Sequence, residues 1–165
     1  MKNKKIILEI GSYILIFIVV LLIKSYVVSP IRVNGNSMYK TLHDQDIMIL
    51  NEFTYYFNDI ERLDIAVVKE DGDYLIKRVI GLPGEIIKCE NGVVFINNKK
   101  LEEPYVFGTT SDFDEVVVGD DEYFVMGDNR EVSLDSRVYG TYKKKYVVGK
   151  ATYTIFPFSR FGMKK

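Results

Sequence analysis

Glu85-Ile86-Ile87-Lys88-Cys89-Glu90-Asn91-Gly92-Val93-Val94-Phe95-Ile96 decides the fold class of this chain. Two short runs rich in Ile and Val flank Asn91-Gly92, the strongest short-range signal for a β-hairpin. The pattern extends both ways. Upstream, Asp46 to Asn51, Leu63 to Val68 and Tyr74 to Gly81 read as strands of β-branched and aromatic residues. Downstream, Asn97-Asn98-Lys99-Lys100 reads as a second turn, and Tyr123 to Met126 and Tyr146 to Phe156 close the series. The acidic stretch from Ser111 to Glu122 is expected to be a solvated loop. There is no internal repeat, low-complexity stretch or long linker. The chain is expected to be mainly β, a single N-terminal transmembrane helix followed by an all-β domain.

The 165 residues suit one domain, and 47% hydrophobic residues suffice for a core. A net charge of -1 gives no whole-molecule field of the kind that attracts nucleic acid, so no nucleic-acid partner is expected. Cys89 is the single cysteine, which excludes an internal disulfide framework and reads as a buried small hydrophobe. His43 is the single histidine, so a His-dependent triad or His-rich metal site would have to be built around it alone. No metal and no cofactor are expected, and an enzymatic base would be another side chain.

Before the β pattern, Lys2, Lys4 and Lys5 precede an apolar run from Ile6 to Ile23 whose only charge is Glu9. The run approaches the roughly 20 apolar residues a bilayer-spanning helix needs. Its exit, Lys24-Ser25-Tyr26-Val27-Val28-Ser29-Pro30, lacks the small residues of a signal-peptide cleavage site. A buried amphipathic helix would show a polar face, and this run has none. Residues 1–28 are thus expected to be a short cytoplasmic tail and retained anchor, with the lipid bilayer as partner. Flanking lysines and arginines nearly balance, so the long domain, residues 29–165, is placed outside the cytoplasm because short basic tails commonly lead translocated domains.

Two polar clusters and one strand could carry chemistry. In Tyr74-Leu75-Ile76-Lys77-Arg78-Val79-Ile80, alternation sends Lys77 and Arg78 to opposite faces. One of them must turn inward, or the strand must lie at a sheet edge, where lysine guards against aggregation. Arg stays charged in any surroundings, whereas a desolvated Lys can become neutral and accept a proton. Lys77, flanked on its face by Leu75 and Val79, is the better candidate base. Asn34-Gly35-Asn36-Ser37 suggests a tight exposed turn, as many surface loops do. Ser37-Met38-Tyr39-Lys40 spells S-x-x-K, but the later elements of that β-lactamase motif are missing, so Lys40 reads as a surface lysine. Gly127 to Arg137 holds Asp128, Arg130, Ser133, Asp135, Ser136 and Arg137, and its opposite charges at spacing two could brace a turn.

Together these segments resemble the type I signal peptidase family, in its shorter Gram-positive-like form with one anchor. Ser37-Met38 with Thr41-Leu42 is similar to the S-M-x-P-T-L nucleophile box. Lys77-Arg78-Val79-Ile80-Gly81-Leu82-Pro83-Gly84 resembles the box of the general-base lysine. Gly127 to Arg137 fits G-D-N-R-x-x-S-x-D-S-R at every defined position, and Phe156-Pro157-Phe158 is a weaker likeness. Two departures stand out: Lys40 replaces the proline of the nucleophile box, and Gly35 lies where some members carry an oxyanion-donating serine.

The resemblance implies a membrane-bound serine endopeptidase that removes signal peptides from exported preproteins after A-x-A sites, at the cell membrane. Ser37 would be nucleophile and Lys77 base, with Ser133 bonding the Lys77 amine and Asp135 and Arg137 a supporting ion pair. Asp128 and Arg130 would shape the site. Met38, Leu75 and Ile76 are candidate pocket walls, and Phe53, Tyr55, Tyr56 and Phe57 either rest on the membrane or fill the core. The alternatives are a membrane-tethered β-domain without catalysis and a Ser–Lys peptidase with one dedicated substrate. Which preproteins are cut, how fast, how many paralogues exist and the oligomeric state are not encoded in these motifs.

Overall fold

The computed structural model describes residues 9–20 and 28–164. Residues 9–20 form a helix, α1, whose side chains are exposed throughout. Among the described residues no helix is long and apolar enough to cross a membrane. The ends of the expected anchor, residues 6–8 and 21–23, lie outside the described residues.

The remaining chain is β-rich. Its elements in order are β1 (Val28–Arg32), β2 (Ile47–Asn51), α2 (Thr54–Phe57), β3 (Ile65–Glu70), β4 (Asp73–Gly81), β5 (Ile86–Glu90), β6 (Val93–Ile96), β7 (Lys99–Lys100), β8 (Phe113–Val117), β9 (Glu122–Met126), α3 (Ser136–Tyr139), β10 (Tyr142–Lys143), β11 (Val147–Phe156) and β12 (Gly162–Met163). An eight-stranded sheet runs β1-β2-β11-β3-β4-β9-β10, with β12 also on β11, and a four-stranded sheet runs β7-β6-β5-β8. Every pairing within these sheets is antiparallel.

Turn chemistry explains the hairpins. Asn91 and Gly92 take φ of 52° and 75° between β5 and β6, the two positive values of a type I′ turn. Asp71-Gly72, at 46° and 94°, makes the same turn between β3 and β4, a signal as strong as Asn91-Gly92. Asn97 and Asn98, at 50° and 63°, turn β6 into β7, so the stretch expected as one turn ends in a short strand.

The acidic stretch departs further from expectation, because β8 lies inside it and pairs with β5. Phe113 turns inward and stacks on Phe124 at 5.6 Å between centroids, and Val116 packs against the same cluster. Asp114 and Glu115 stay exposed, which places charge on an edge strand where it discourages further pairing. A few apolar anchors outweigh an acidic composition.

Three clusters form the core. Met48, Leu50, Ile65, Val67 and Ala151 of the large sheet gather Val33, Met38 and Leu42 from the loop after β1. Ala66, Val68, Val79 and Val125 build the second cluster. Ile80, Phe124 and Met126 meet Ile87, Val94 and Val118 to join the sheets. That junction leaves no room: a Cβ on Gly81 would fall 2.0 Å from Ile87 Cδ1. Cys89 is buried in this third cluster, and burial, reinforced by nearby Asp112, pushes its thiol up to about 11. β4 therefore lies between β3 and β9, an interior strand and not the edge considered from its sequence.

Candidate active site

β4 buries both of its adjacent cations. Lys77 is 4% exposed and Arg78 1%, on opposite faces of the strand. Lys77 Nζ lies 2.8 Å from Ser37 Oγ, across forty positions of sequence. Burial pulls its pKa down from 10.5 to about 8; Asp135 resists this, Arg137 adds to it and Asp128 resists it. The amine thus carries a neutral fraction near neutral pH and sits at hydrogen-bond distance from a hydroxyl.

Arg78 is held differently. Its Nε and Nη2 bond Asp128 Oδ1 and Oδ2 at 2.8 and 2.6 Å, a two-pronged pair. Nη1 donates to Leu63 O at 2.9 Å, and the guanidinium lies 4.0 Å over the Tyr105 ring. Thr41 Oγ1 donates to Asp128 Oδ2 and receives an Arg78 bond. One carboxylate therefore ties the lysine strand to the loop that carries Ser37.

Ser37 is fixed by the segment after β9. Asn129 N donates to Ser37 O at 2.9 Å, and Asn129 Nδ2 to Asn36 O at 3.1 Å. Gly127 makes the approach possible, because a Cβ there would fall 2.5 Å from Ser37 O and 2.2 Å from Ser133 Oγ. Asp135, fully buried, caps α3 and receives Arg137 Nε and Nη2, each at 2.9 Å, and Gly127 N at 2.9 Å. Burial pushes its carboxyl up, but the Arg137 bonds and the Gly127 N–H outweigh that and hold it below the usual carboxylate range. Arg137 Nη2 also donates to Arg130 O at 2.8 Å, which pins the intervening turn.

Three expected contacts differ. Ser133 is buried and its hydroxyl does not bond the Lys77 amine, which lies on Ser37 instead. Arg130 does not brace Asp128 at spacing two; it bonds Glu103 Oε1 at 2.5 Å and Thr110 Oγ1 at 2.8 Å, while Asp128 takes Arg78. Met38, expected as a pocket wall, is 1% exposed within the first core cluster and offers no surface to a peptide. Leu75 and Ile76 do line an open groove, with Ile31, Leu50 and Val67. Lys40 is exposed. Gly35 has φ of 84° and donates its N–H to Asp44 Oδ1 at 2.7 Å.

Thr41, Tyr105, Glu103, Thr110 and Asn129 belong to the site's framework and were not singled out from sequence. Asn129 and Thr41 stand inside the two polar boxes and could have been found there. Glu103 lies in a region without motif and carried no signal.

A serine hydroxyl beside a desolvated amine on a β-scaffold is a pairing suited to nucleophilic hydrolysis. The family profile described as signal peptidase, peptidase S26, matches residues 6–156, and the chain belongs to that family. Signal peptidase I S of Bacillus subtilis is 39% identical over 95% of this chain and 93% of its own length. Signal peptidase IB of Staphylococcus aureus is 33% identical over 96% of this chain and 94% of its own length. The crystal structure of a signal peptidase I from Enterococcus faecalis superposes with a TM-score of 0.52 at 32% identity, covering 56% of this chain and 97% of that one. The protein is a serine peptidase of this family.

Proposed function

We propose that the protein is a membrane-anchored signal peptidase that cuts exported preproteins after A-x-A sites, with Ser37 as nucleophile and Lys77 as general base. The observation that carries this reading is the 2.8 Å contact between Ser37 Oγ and a buried lysine amine whose pKa is pulled down to about 8. Neutral Lys77 takes the hydroxyl proton as Ser37 Oγ bonds to the scissile carbonyl carbon. The amide C–N bond then breaks, its nitrogen receives that proton, and the signal peptide remains as an ester on Ser37. Lys77 next takes a proton from water, the hydroxide adds to the ester, and the C–O bond breaks with the proton returned to Ser37. The Ser37 N–H is the oxyanion donor, and Asn129 Nδ2 holds the carbonyl of that same peptide, Asn36 O, at 3.1 Å. Asp128, Arg130, Asp135 and Arg137 position this pair, and Leu75 and Ile76 form the wall against the small residues of the substrate.

The anchor reading draws support from α1. Ile10, Ile14, Leu15, Ile16, Phe17 and Ile18 are all exposed on a helix with no polar face, a surface suited to lipid. With residues 1–28 as tail and single-pass anchor, the catalytic domain stands on the extracytoplasmic face of the plasma membrane, where exported preproteins emerge.

Cleavage of an A-x-A preprotein in detergent micelles tests the dyad. Wild type should cut after the motif, while Ser37→Ala and Lys77→Ala should lose at least about a hundredfold in rate. Retained activity in Lys77→Ala, or an inert wild type, would overturn the assignment.

A further inference from the structure

The segment from Glu103 to Phe107, between β7 and β8 of the small sheet, carries neither the nucleophile nor the base. It nonetheless touches Arg78 of the lysine box and Arg130 of the box after β9. Arg130 donates to Glu103 with two prongs, Nη2 to Oε1 at 2.5 Å and Nη1 to Oε2 at 3.4 Å. Side-chain exposure is 0% for Arg130 and 11% for Glu103, so the pair stands out of water. Tyr105 donates its hydroxyl to the same Glu103 Oε1 at 3.0 Å, and its ring lies 4.0 Å from the Arg78 guanidinium. The backbone adds two bonds: Phe107 N donates to Asp128 O at 2.8 Å, and Arg130 N to Phe107 O at 3.0 Å. These bracket Asn129, whose own N–H holds Ser37 O at 2.9 Å. The Phe107 ring also meets Tyr39, two positions past Ser37, with centroids 5.1 Å apart.

One short segment therefore reaches both halves of the dyad. On the base side, Arg78 is the chain neighbour of Lys77, and Asp128 joins it to Thr41 in the nucleophile loop. On the nucleophile side, Asn129 holds the Ser37 carbonyl. The segment is itself fastened to the small sheet. Leu101 N donates to Val94 O at 2.9 Å, and Leu101 and Tyr105 pack against the third core cluster. Ser37 and Lys77 come from elements that are not paired as neighbouring strands, so groups touching both sides must set their separation. That separation matters, because a misplacement of ~1 Å can cost a reaction ~100-fold in rate.

The structure assigns Glu103 and Tyr105 as positioning residues, a strap from the small sheet that fixes Arg78 and the turn Asp128-Asn129-Arg130, and through them the distance from Ser37 to Lys77. This rests on the dyad reading above. The four-stranded sheet supplies no member of the dyad, and its part in the reaction is to back this strap. Phe107 joins the strap through its backbone, whereas Glu103 and Tyr105 act through their side chains, which makes those two the residues to change.

Cleavage of an A-x-A preprotein by the full-length protein in detergent micelles, at a temperature where each variant is folded, separates positioning from mere stabilisation. Tyr105→Leu and Glu103→Ala should each lower kcat at least ~10-fold with KM unchanged within ~2-fold. Tyr105→Phe keeps the ring over Arg78 and should stay within ~3-fold of wild type. Ile96→Ala removes packing from the same core cluster, so it should lower the denaturant midpoint and leave kcat unchanged. A second readout needs no activity: hydrogen exchange of the peptide holding the Asn129 amide should quicken at least ~5-fold in Tyr105→Leu and in Glu103→Ala. Wild-type kcat and exchange in folded Tyr105→Leu and Glu103→Ala overturn the strap and leave the dyad standing. A raised KM with kcat unchanged places the segment in substrate binding and likewise overturns it. Should Tyr105→Leu not fold, Glu103→Gln, which keeps an acceptor and loses only the charge, carries the test with kcat expected at least ~3-fold down. Wild type that cuts nothing sinks the dyad reading itself, and the exchange comparison then decides the strap alone.

Discussion

Lys77 and Arg78 are chain neighbours, both cationic at their ordinary pKa and both buried, yet the strand gives them opposite fates. Arg78 faces a carboxylate that meets its planar fork at two points, and a ring stacks on it. Lys77 faces a neutral hydroxyl, and Asp135, the strongest charge resisting its desolvation, is already bonded by Arg137. Burial alone therefore does not decide a cation's state; the partner within reach does. Alternation of the strand supplies the separation, since side chains one residue apart cannot share a partner.

The comparison can be broken most heavily on its structural side. Arg78→Met leaves Asp128 buried with only Thr41 to bond, and Asp128→Asn leaves the guanidinium without a counter-charge. Each should cost about 3–5 kcal/mol of stability in denaturant unfolding, whereas the double replacement Arg78→Met/Asp128→Leu should recover part of the loss. If both single variants unfold like wild type, the pair does not hold the two loops together.

Lys77 should behave in the opposite sense. Its folded pKa, about 8, lies below its ordinary 10.5, so below pH 8 the fold must bury an ammonium that the unfolded chain carries freely. Lys77→Met should thus abolish cleavage while gaining on the order of 3 kcal/mol at neutral pH. The gain should shrink as pH rises from about 8 towards 10.5, where the unfolded lysine also loses its proton. A destabilised Lys77→Met at pH 7 would show that the amine is not desolvated.

The pH profile sharpens the same contrast by a smaller margin. Wild-type activity should rise through about pH 8 as the Lys77 amine becomes neutral. Asp135 supports the ammonium, so Asp135→Asn should move that limb to lower pH, by about half a unit, even where the overall rate falls. A limb that stays in place would mean that another group titrates in the rise. Lys40→Ala should change least, within about twofold in rate, because its side chain is exposed and bonds nothing in the site. A large gain there would show that the lysine in place of the family proline disturbs Ser37.

The strands were legible because period-two runs of Ile, Val and Tyr bounded by Asn-Gly leave a chain few alternatives. Strand β8 was not, because Phe113 and the valines at 116–118 stand in an otherwise acidic segment, and only Phe124 and β5 across from them make the segment a strand. In the site, the Ser37 and Lys77 boxes could be read, but the contacts among the supporting residues could not. Arg130 finds Glu103 and Asp128 finds Arg78, each far away in sequence, where local spacing suggested that they would find each other.

By itself, the sequence determined the β class, the apolar leading run, and which of two adjacent cations could become a neutral base. Those follow from local physics: alternation, turn conformations and the intrinsic basicity of amine against guanidinium. Tertiary structure alone decided that β4 is an interior strand, that Ser37 Oγ stands 2.8 Å from Lys77 Nζ, and that Asp128 pairs with Arg78. It also decided that Tyr56 and Phe57 after β2 remain exposed, while Tyr55 packs against the second core cluster. Each of these depends on which strands pair and in what register, and pairing is settled by the whole set of buried side chains competing for partners, which no single segment contains.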